Sequence, residues 1–111
     1  QYDKLNVGDL IWFTYIRASR SGNIQSTNYP TAVKIVEVGR DYVKIESSNL
    51  IWNAPTKFYH GENKSYCPAD KYLAESESEC KEKYNELLKE LIEDKYKEYQ
   101  RYVNRLENRF L

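Results

Sequence analysis

From about Glu79 to Arg109 the chain contains neither glycine nor proline and is rich in Glu, Lys, Leu and Arg, residues that lose little on entering a helix. Ser76-Glu77-Ser78-Glu79 supplies a start signal, a serine with a glutamate three residues on, in which the two side chains can satisfy the first free N–H groups of a helix. An apolar stripe follows: Tyr84, Leu88, Leu91, Ile92, Tyr99, Tyr102, Val103, Leu106 and Phe110, with Leu87 and Tyr96 at its margins. Leu88, Tyr99 and Phe110 recur at eleven residues, as do Leu91 and Tyr102, and Ile92 and Val103. That period keeps a stripe nearly straight, as packing on a sheet or a partner helix requires. Residues 79–109 would span about 46 Å at roughly 1.5 Å each, whereas a small five-strand barrel is only about 20–25 Å across. The helix is therefore expected to outrun its own domain, with the Tyr99 to Phe110 end meeting a second chain or another partner.

Ahead of the helix, Tyr29 to Glu46, YPTAVKIVEVGRDYVKIE, reads as two β-branched runs folded about Gly39-Arg40. A two-residue loop would pair Val36 with Val43 and set Ile35 beside Lys44. A three-residue loop, Gly39 to Asp41, would pair Ile35 with Ile45 and Lys34 with Glu46, which sorts charge better. Either register leaves apolar groups on both faces, so the hairpin should be covered by the curl of its own sheet and again by the helical stripe. Asn6-Val7-Gly8-Asp9 reads as a turn that launches Leu10 to Arg17 as one strand, apolar on both faces. Ala18 to Asn28 is polar and reads as a long loop, either a binding loop or an inert connection. Asn49 to Asn53 and Thr56 to His60 look like two further short strands parted by Ala54-Pro55. The expected fold is α+β in a single domain of 111 residues. It comprises an antiparallel barrel or half-barrel of about five strands over residues 1–65, a connecting segment over 66–78 and a long C-terminal helix over 79–110.

The 17 basic and 17 acidic residues cancel, so no global field steers the chain towards nucleic acid or a lipid surface. No run approaches the roughly 20 apolar residues needed to span a bilayer, and no membrane partner is expected. A cytoplasmic location is the expectation, although the Gln1 start leaves a processed, extracytoplasmic chain open. Cys67 and Cys80 fit either one disulfide or two free thiols. The single histidine, His60, gives no triad, and His60 with Cys67 and Cys80 would make an incomplete zinc site. The helical carboxylates suit a solvated face with pairs such as Glu79 and Lys83. Neither catalysis nor a cofactor or metal is expected.

Binding is the expected role. Arg17, Arg20, Lys34, Arg40, Lys44 and Lys57 are interleaved with Tyr15, Tyr29, Tyr42 and Trp52, a mixture able to follow phosphates and stack bases. Val7-Gly8-Asp9, then Tyr29-Pro30-Thr31-Ala32-Val33-Lys34-Ile35-Val36, then Tyr42-Val43-Lys44-Ile45 resemble the opening of an SH3-like barrel of the Tudor type over residues 5–60. The resemblance implies a binding module, in some members with an aromatic cage, for which Tyr15, Tyr29 and Tyr42 would be the positional candidates. This chain departs from the pattern in its long first loop, in Ser47-Ser48-Asn49 after the third strand and in the appended helix. The 11 tyrosines amid abundant Lys, Asn, Glu and Ile suit AT-rich coding DNA, as in many phages. The functional expectation is a non-enzymatic protein-binding module of the phage-inhibitor type, occluding a host or defence factor and dimeric through its helix. The residues expected to carry it are Arg17, Arg20, Tyr29, Arg40, Tyr42, Tyr99, Tyr102, Leu106 and Phe110. Nucleic-acid binding through Arg17, Arg20 and Arg40 is the alternative, followed by a small-molecule binder or enzyme.

Overall fold

A computed structural model describes residues 4–19, 21–27, 31–46, 54–60 and 67–111. Gly8, at φ 97°, lets the chain turn where a side chain would be strained, and the Asp9 N–H donates to the Asn6 carbonyl across that turn at 3.0 Å. The turn delivers β1 (Leu10–Phe13), followed by β2 (Ile16–Ala18), β3 (Ile24–Ser26), β4 (Thr31–Val38), β5 (Tyr42–Ile45) and β6 (Lys57–Tyr59). A short helix α1 (Ala69–Tyr72), β7 (Leu73–Ala74) and the long α2 (Glu77–Glu107) complete the chain. Five strands form one antiparallel half-barrel in the order β6-β5-β4-β1-β7, and β2 and β3 form a separate two-stranded ribbon. The fold is α+β, a five-strand half-barrel followed by one long C-terminal helix.

Alternation builds the core. Ile11 and Phe13 of β1, Val33 and Ile35 of β4, Val43 and Ile45 of β5 and Phe58 of β6 all point inward, and Ala69 and Leu73 close over them. Phe13, Tyr15, Tyr72 and Phe58 pack ring to ring in a closed cycle with centroids 5.6–6.3 Å apart, a spacing typical of tilted and offset aromatic pairs.

The run Leu10 to Arg17 is not one strand. At Thr14 the chain leaves the sheet: the Thr14 N–H donates to the Tyr72 carbonyl and the Thr27 N–H to the Tyr15 carbonyl, each at 2.9 Å. The buried hydroxyls of Thr14 and Thr27 meet at 3.4 Å, and Thr27 Oγ1 also accepts the Tyr15 N–H at 3.2 Å. The Thr27 hydroxyl, held by that of Thr14, thus satisfies a backbone group at the point where one strand direction changes to another. The stretch expected as a loop is instead largely a hairpin, in which Ile16, Arg17 and Ala18 face Ser26, Gln25 and Ile24. Gly22, at φ 89°, makes its turn.

The main hairpin keeps the three-residue register only away from its turn, and the two-residue register about Gly39-Arg40 does not form. Ile35 faces Ile45 and the Glu46 N–H donates to the Lys34 carbonyl at 2.9 Å, as a three-residue loop requires. Nearer the turn, Glu37 faces Lys44 and Val38 faces Val43, and the Gly39 N–H donates to the Tyr42 carbonyl at 2.9 Å. A bulge between Ile35 and Glu37 absorbs the difference. Gly39 permits the Tyr42 ring to close over the turn, since a Cβ there would lie 2.0 Å from that ring.

The expected strand Asn49 to Asn53 lies outside the described residues. The fifth strand comes from beyond β6. Pro68 bridges to Tyr59, α1 crosses the seam, and Leu73 and Ala74 pair with Phe13 and Trp12. The segment expected only to connect therefore supplies an edge of the sheet.

Helix α2 begins at Glu77, slightly earlier than expected, with Ser76 as its cap; Ser76 Oγ accepts the Glu79 N–H at 3.2 Å. The Glu79 carboxylate reaches past the cap to the Glu75 N–H at 3.3 Å and also pairs with Lys83 at 3.2 Å. Lys83 Nζ donates to the Leu73 carbonyl at 2.5 Å, tying α2 to β7. Cys80 and Leu87 are buried, with Tyr84, Leu88 and Leu91 half-buried, as the helix packs on α1, β7, β2 and β1. It does not blanket the outer face of the hairpin, contrary to expectation: Lys34, Val36 and Lys44 there remain exposed. The reason is positional, because β7 brings the chain back on the β1 side of the sheet and Ser76 starts the helix immediately afterwards.

Candidate partner-binding surface

The ribbon has two chemically different faces because strand neighbours alternate. Arg17 and Gln25 point to one side, where Arg17 Nε donates to Gln25 Oε1 at 2.6 Å. They floor a polar hollow of about 430 Å³ with Ser19, Ser21 and Asn23 on its walls. Ile16, Ala18 and Ile24 point the other way, towards α2, and with Leu88, Leu91 and Ile92 they line an apolar groove of about 410 Å³. Tyr96 and Tyr99 stand at its open end with Lys95, and Lys95 Nζ bonds the Glu98 carboxylate at 3.3 Å.

Beyond the groove the helix runs free. Tyr96 is 71% exposed, Tyr99 66% and Phe110 87%, and Ile92, Tyr102 and Leu106 are about half exposed. The molecule measures 63 × 28 × 24 Å, so a helix of 31 residues, about 46 Å long, necessarily projects past a body of that width. Groove and free half form one apolar surface, since Ile92, Tyr96 and Tyr99 belong to both. It exceeds the scattered hydrophobic residues that any surface carries.

The sequence-expected site residues divide between this surface and others. Tyr99, Tyr102 and Leu106 lie exposed on the free half of α2, and Phe110 lies just after its end. Arg17 sits on the opposite, polar face of the ribbon, and Arg40 is exposed at the hairpin turn. Arg20 and Tyr29 lie outside the described residues. Tyr42 is on the outer face of β5, where its hydroxyl donates to the Glu37 carboxylate. That bond, aided by desolvation, raises the phenol above its ordinary pKa. Lys57 Nζ lies 4.0 Å from the centre of the Tyr42 ring, and Tyr59 packs beside it with centroids 6.0 Å apart. A cage built on Tyr42 would find its cation seat taken by this lysine. Tyr15, the other described cage candidate, is packed against Phe13 and Tyr72. Of the tyrosines expected to stack bases or a methylated side chain, Tyr15 and Tyr42 are thus engaged within the protein.

Compared with family models, with curated proteins and with solved structures, the chain finds no significant match in any of the three.

Sequence reasoning missed the ribbon residues of the groove, Ile16, Ala18 and Ile24, and Ile24 is the one that carried a signal. It is 67% exposed and is the one aliphatic residue beyond Ala18 in the polar stretch ASRSGNIQSTN, which was the available signal. Among the described residues, no three His, Cys, Asp or Glu side chains come together as metal ligands, and no helix is long and apolar enough to cross a membrane. Cys67 and Cys80 are free thiols, not a disulfide. Cys67 is half-buried beside the α1 entry, and burial raises its thiol pKa. Cys80 is fully buried on α2, and burial pushes its thiol up to about 11. Neither therefore resembles an activated thiolate.

Proposed function

We propose that the protein is a non-enzymatic binding module that engages a protein through the apolar groove between β2–β3 and α2 and through the free half of that helix. The observation that carries the reading is the continuity of the two: the aromatic side chains at the open end of the groove are also the first of the exposed stripe. The groove is poor in charge, with Lys95 the only charged side chain among the described residues that line it, which suits an apolar helix or segment better than a charged substrate. Nucleic-acid binding draws less support, because Arg17 and Arg40 stand on separate elements and the Tyr42 ring already holds Lys57.

Two substitutions test the proposal without touching the core, Ile24→Asp on the ribbon and Tyr99→Asp on the helix. The immobilised protein should retain a partner saturably from an extract of its source cells, and each variant should lose it while melting at the wild-type temperature. Retention unaffected by both substitutions would remove this surface from the function.

A further inference from the structure

The proposed binding surface has two parts that match each other, and the match specifies an occupant. On an α-helix each residue advances about 100°. Cys80, Tyr84, Leu87 and Leu91 accordingly fall within an arc of about 60°, the face held by the domain. Ile92, Tyr96, Tyr99, Val103 and Leu106 fall in a second arc, centred about 110° further round, and Phe110 follows just past the helix end. Their spacing alternates four and three, the pattern of a helix that packs along another helix. Two of the eleven-residue recurrences, Ile92 with Val103 and Tyr99 with Phe110, are this alternation taken three steps at a time. A partner helix can lie along the second arc without displacing the domain from the first.

We infer that this partner is a second copy of the chain, running antiparallel, so that the free half of each α2 covers the stripe and enters the groove of the other. This rests on the protein-binding reading and gives it a partner. A twofold axis between Lys97 and Glu98 sets Tyr96 against the partner's Tyr99 and Ile92 against the partner's Val103. Leu106 stands eight to nine residues beyond that axis, about 13 Å, level with the partner's Lys89 and one residue from Leu88 in the groove. One operation thus covers both apolar features twice, the closure expected of an isologous dimer.

Charge separates this arrangement from its rivals. A parallel pair in register would carry on below Ile92 with Lys89 facing Lys89 in the seam. An antiparallel pair slid by seven residues would bring Glu93 beside the partner's Glu107 and Lys95 beside the partner's Arg109. In the inferred register Glu93 meets Gln100 and Lys95 meets Tyr102, and Glu86 approaches Glu107 only at the exposed rim. Tyr96, Tyr99 and Phe110 can each bury about 150–250 Å². Six such rings from two copies, partly covered, approach with the aliphatic residues the roughly 1,200 Å² of a specific interface.

Sedimentation equilibrium over a wide concentration range should show the full chain doubling its mass. Leu106→Glu should weaken the dimer roughly thirtyfold or more, as loss of a buried apolar contact does, with the far-ultraviolet spectrum unchanged and the melting curve unchanged at dilutions where both proteins are monomeric. Orientation is read by oxidation in a background of Cys67→Ser and Cys80→Ala, after checking that it melts as one unit. Mixed Ile92→Cys and Val103→Cys chains should form a disulfide between unlike chains. Disulfides between like chains only would overturn the antiparallel arrangement. A wild-type protein that stays monomeric at several hundred micromolar would overturn the second copy as occupant. If Ile24→Asp then still abolished retention of another protein, the binding reading would stand without the dimer.

Discussion

The two halves of α2 are made of the same kinds of residue, yet the domain holds the first half and leaves the second in solvent. Cys80 and Leu87 are buried, whereas Tyr96, Tyr99 and Leu106, equally apolar in pattern, are not. Helix propensity and capping do not distinguish them. What differs is whether a second element lies alongside, and the half-barrel ends where the ribbon ends. Amphipathic spacing therefore records that a face will be covered without saying by what.

That contrast can be broken or sharpened by experiment, beginning with the largest effect. Leu87→Ala should cost about 2–4 kcal/mol in chemical denaturation, the range for emptying a buried leucine site. Leu106→Ala, measured at high dilution, should cost less than about 0.5 kcal/mol, as at an ordinary surface position. Equal costs would mean the free half is not free.

The Cys80 thiol gives the docked half a pH signature. Its ordinary pKa is 9.0 and burial pushes it up to about 11, so the folded protein holds this proton more tightly than the unfolded chain. The contribution is complete below about pH 9 and is lost as the pH rises through 11, by about 3 kcal/mol at most. Cys80→Ala should flatten unfolding free energies across that window relative to wild type. An unchanged slope would show that Cys80 ionises freely.

Ser76→Ala should remove about 1 kcal/mol, and amide exchange should quicken in the first turns of α2 while the half after Ile92 keeps its wild-type rates. A small effect also belongs to Lys71, whose ammonium lies 2.8 Å from the Glu90 carboxylate with both side chains about half exposed. Lys71→Ala should cost at most about 1 kcal/mol and less in high salt, as urea titrations at two ionic strengths would reveal.

Much of this organisation was legible in the chain. The Ser76 cap, the length of α2, the turn at Gly8 and the inward alternation of β4 and β5 follow from local chemistry, and the structure has all four. Three features were not legible, each for a physical reason. Leu10 to Arg17 reads as one strand because Thr14 carries no turn signal, and its role as a branch point depends on Thr27, thirteen residues away. A two-residue strand such as Leu73–Ala74 has too few positions to show a period. Side-chain sorting marks the pairing of Ile35 with Ile45, but a bulge, which has no sequence mark here, shifts the pairs nearer the turn so that neither expected loop forms. For the site, the stripe was visible and the groove was not, since Ile16, Ala18 and Ile24 reach α2 only once the ribbon has folded.

The seam crossing from Cys67 to Ala74 also bears on how such a protein could be dismantled or recombined. Its last strand lies after the short helix and only a few residues before the long one, so half-barrel and helix share a covalent junction that belongs to both. A graft of α2 onto another scaffold at Glu75 would leave the donor with β7 intact but unclasped by Lys83. A cut before Cys67 would strip β1 of its neighbour and expose its backbone as an unpaired edge, open to pairing with other chains. The two parts are thus not separable modules, and a lineage carrying this fold would have to inherit them together.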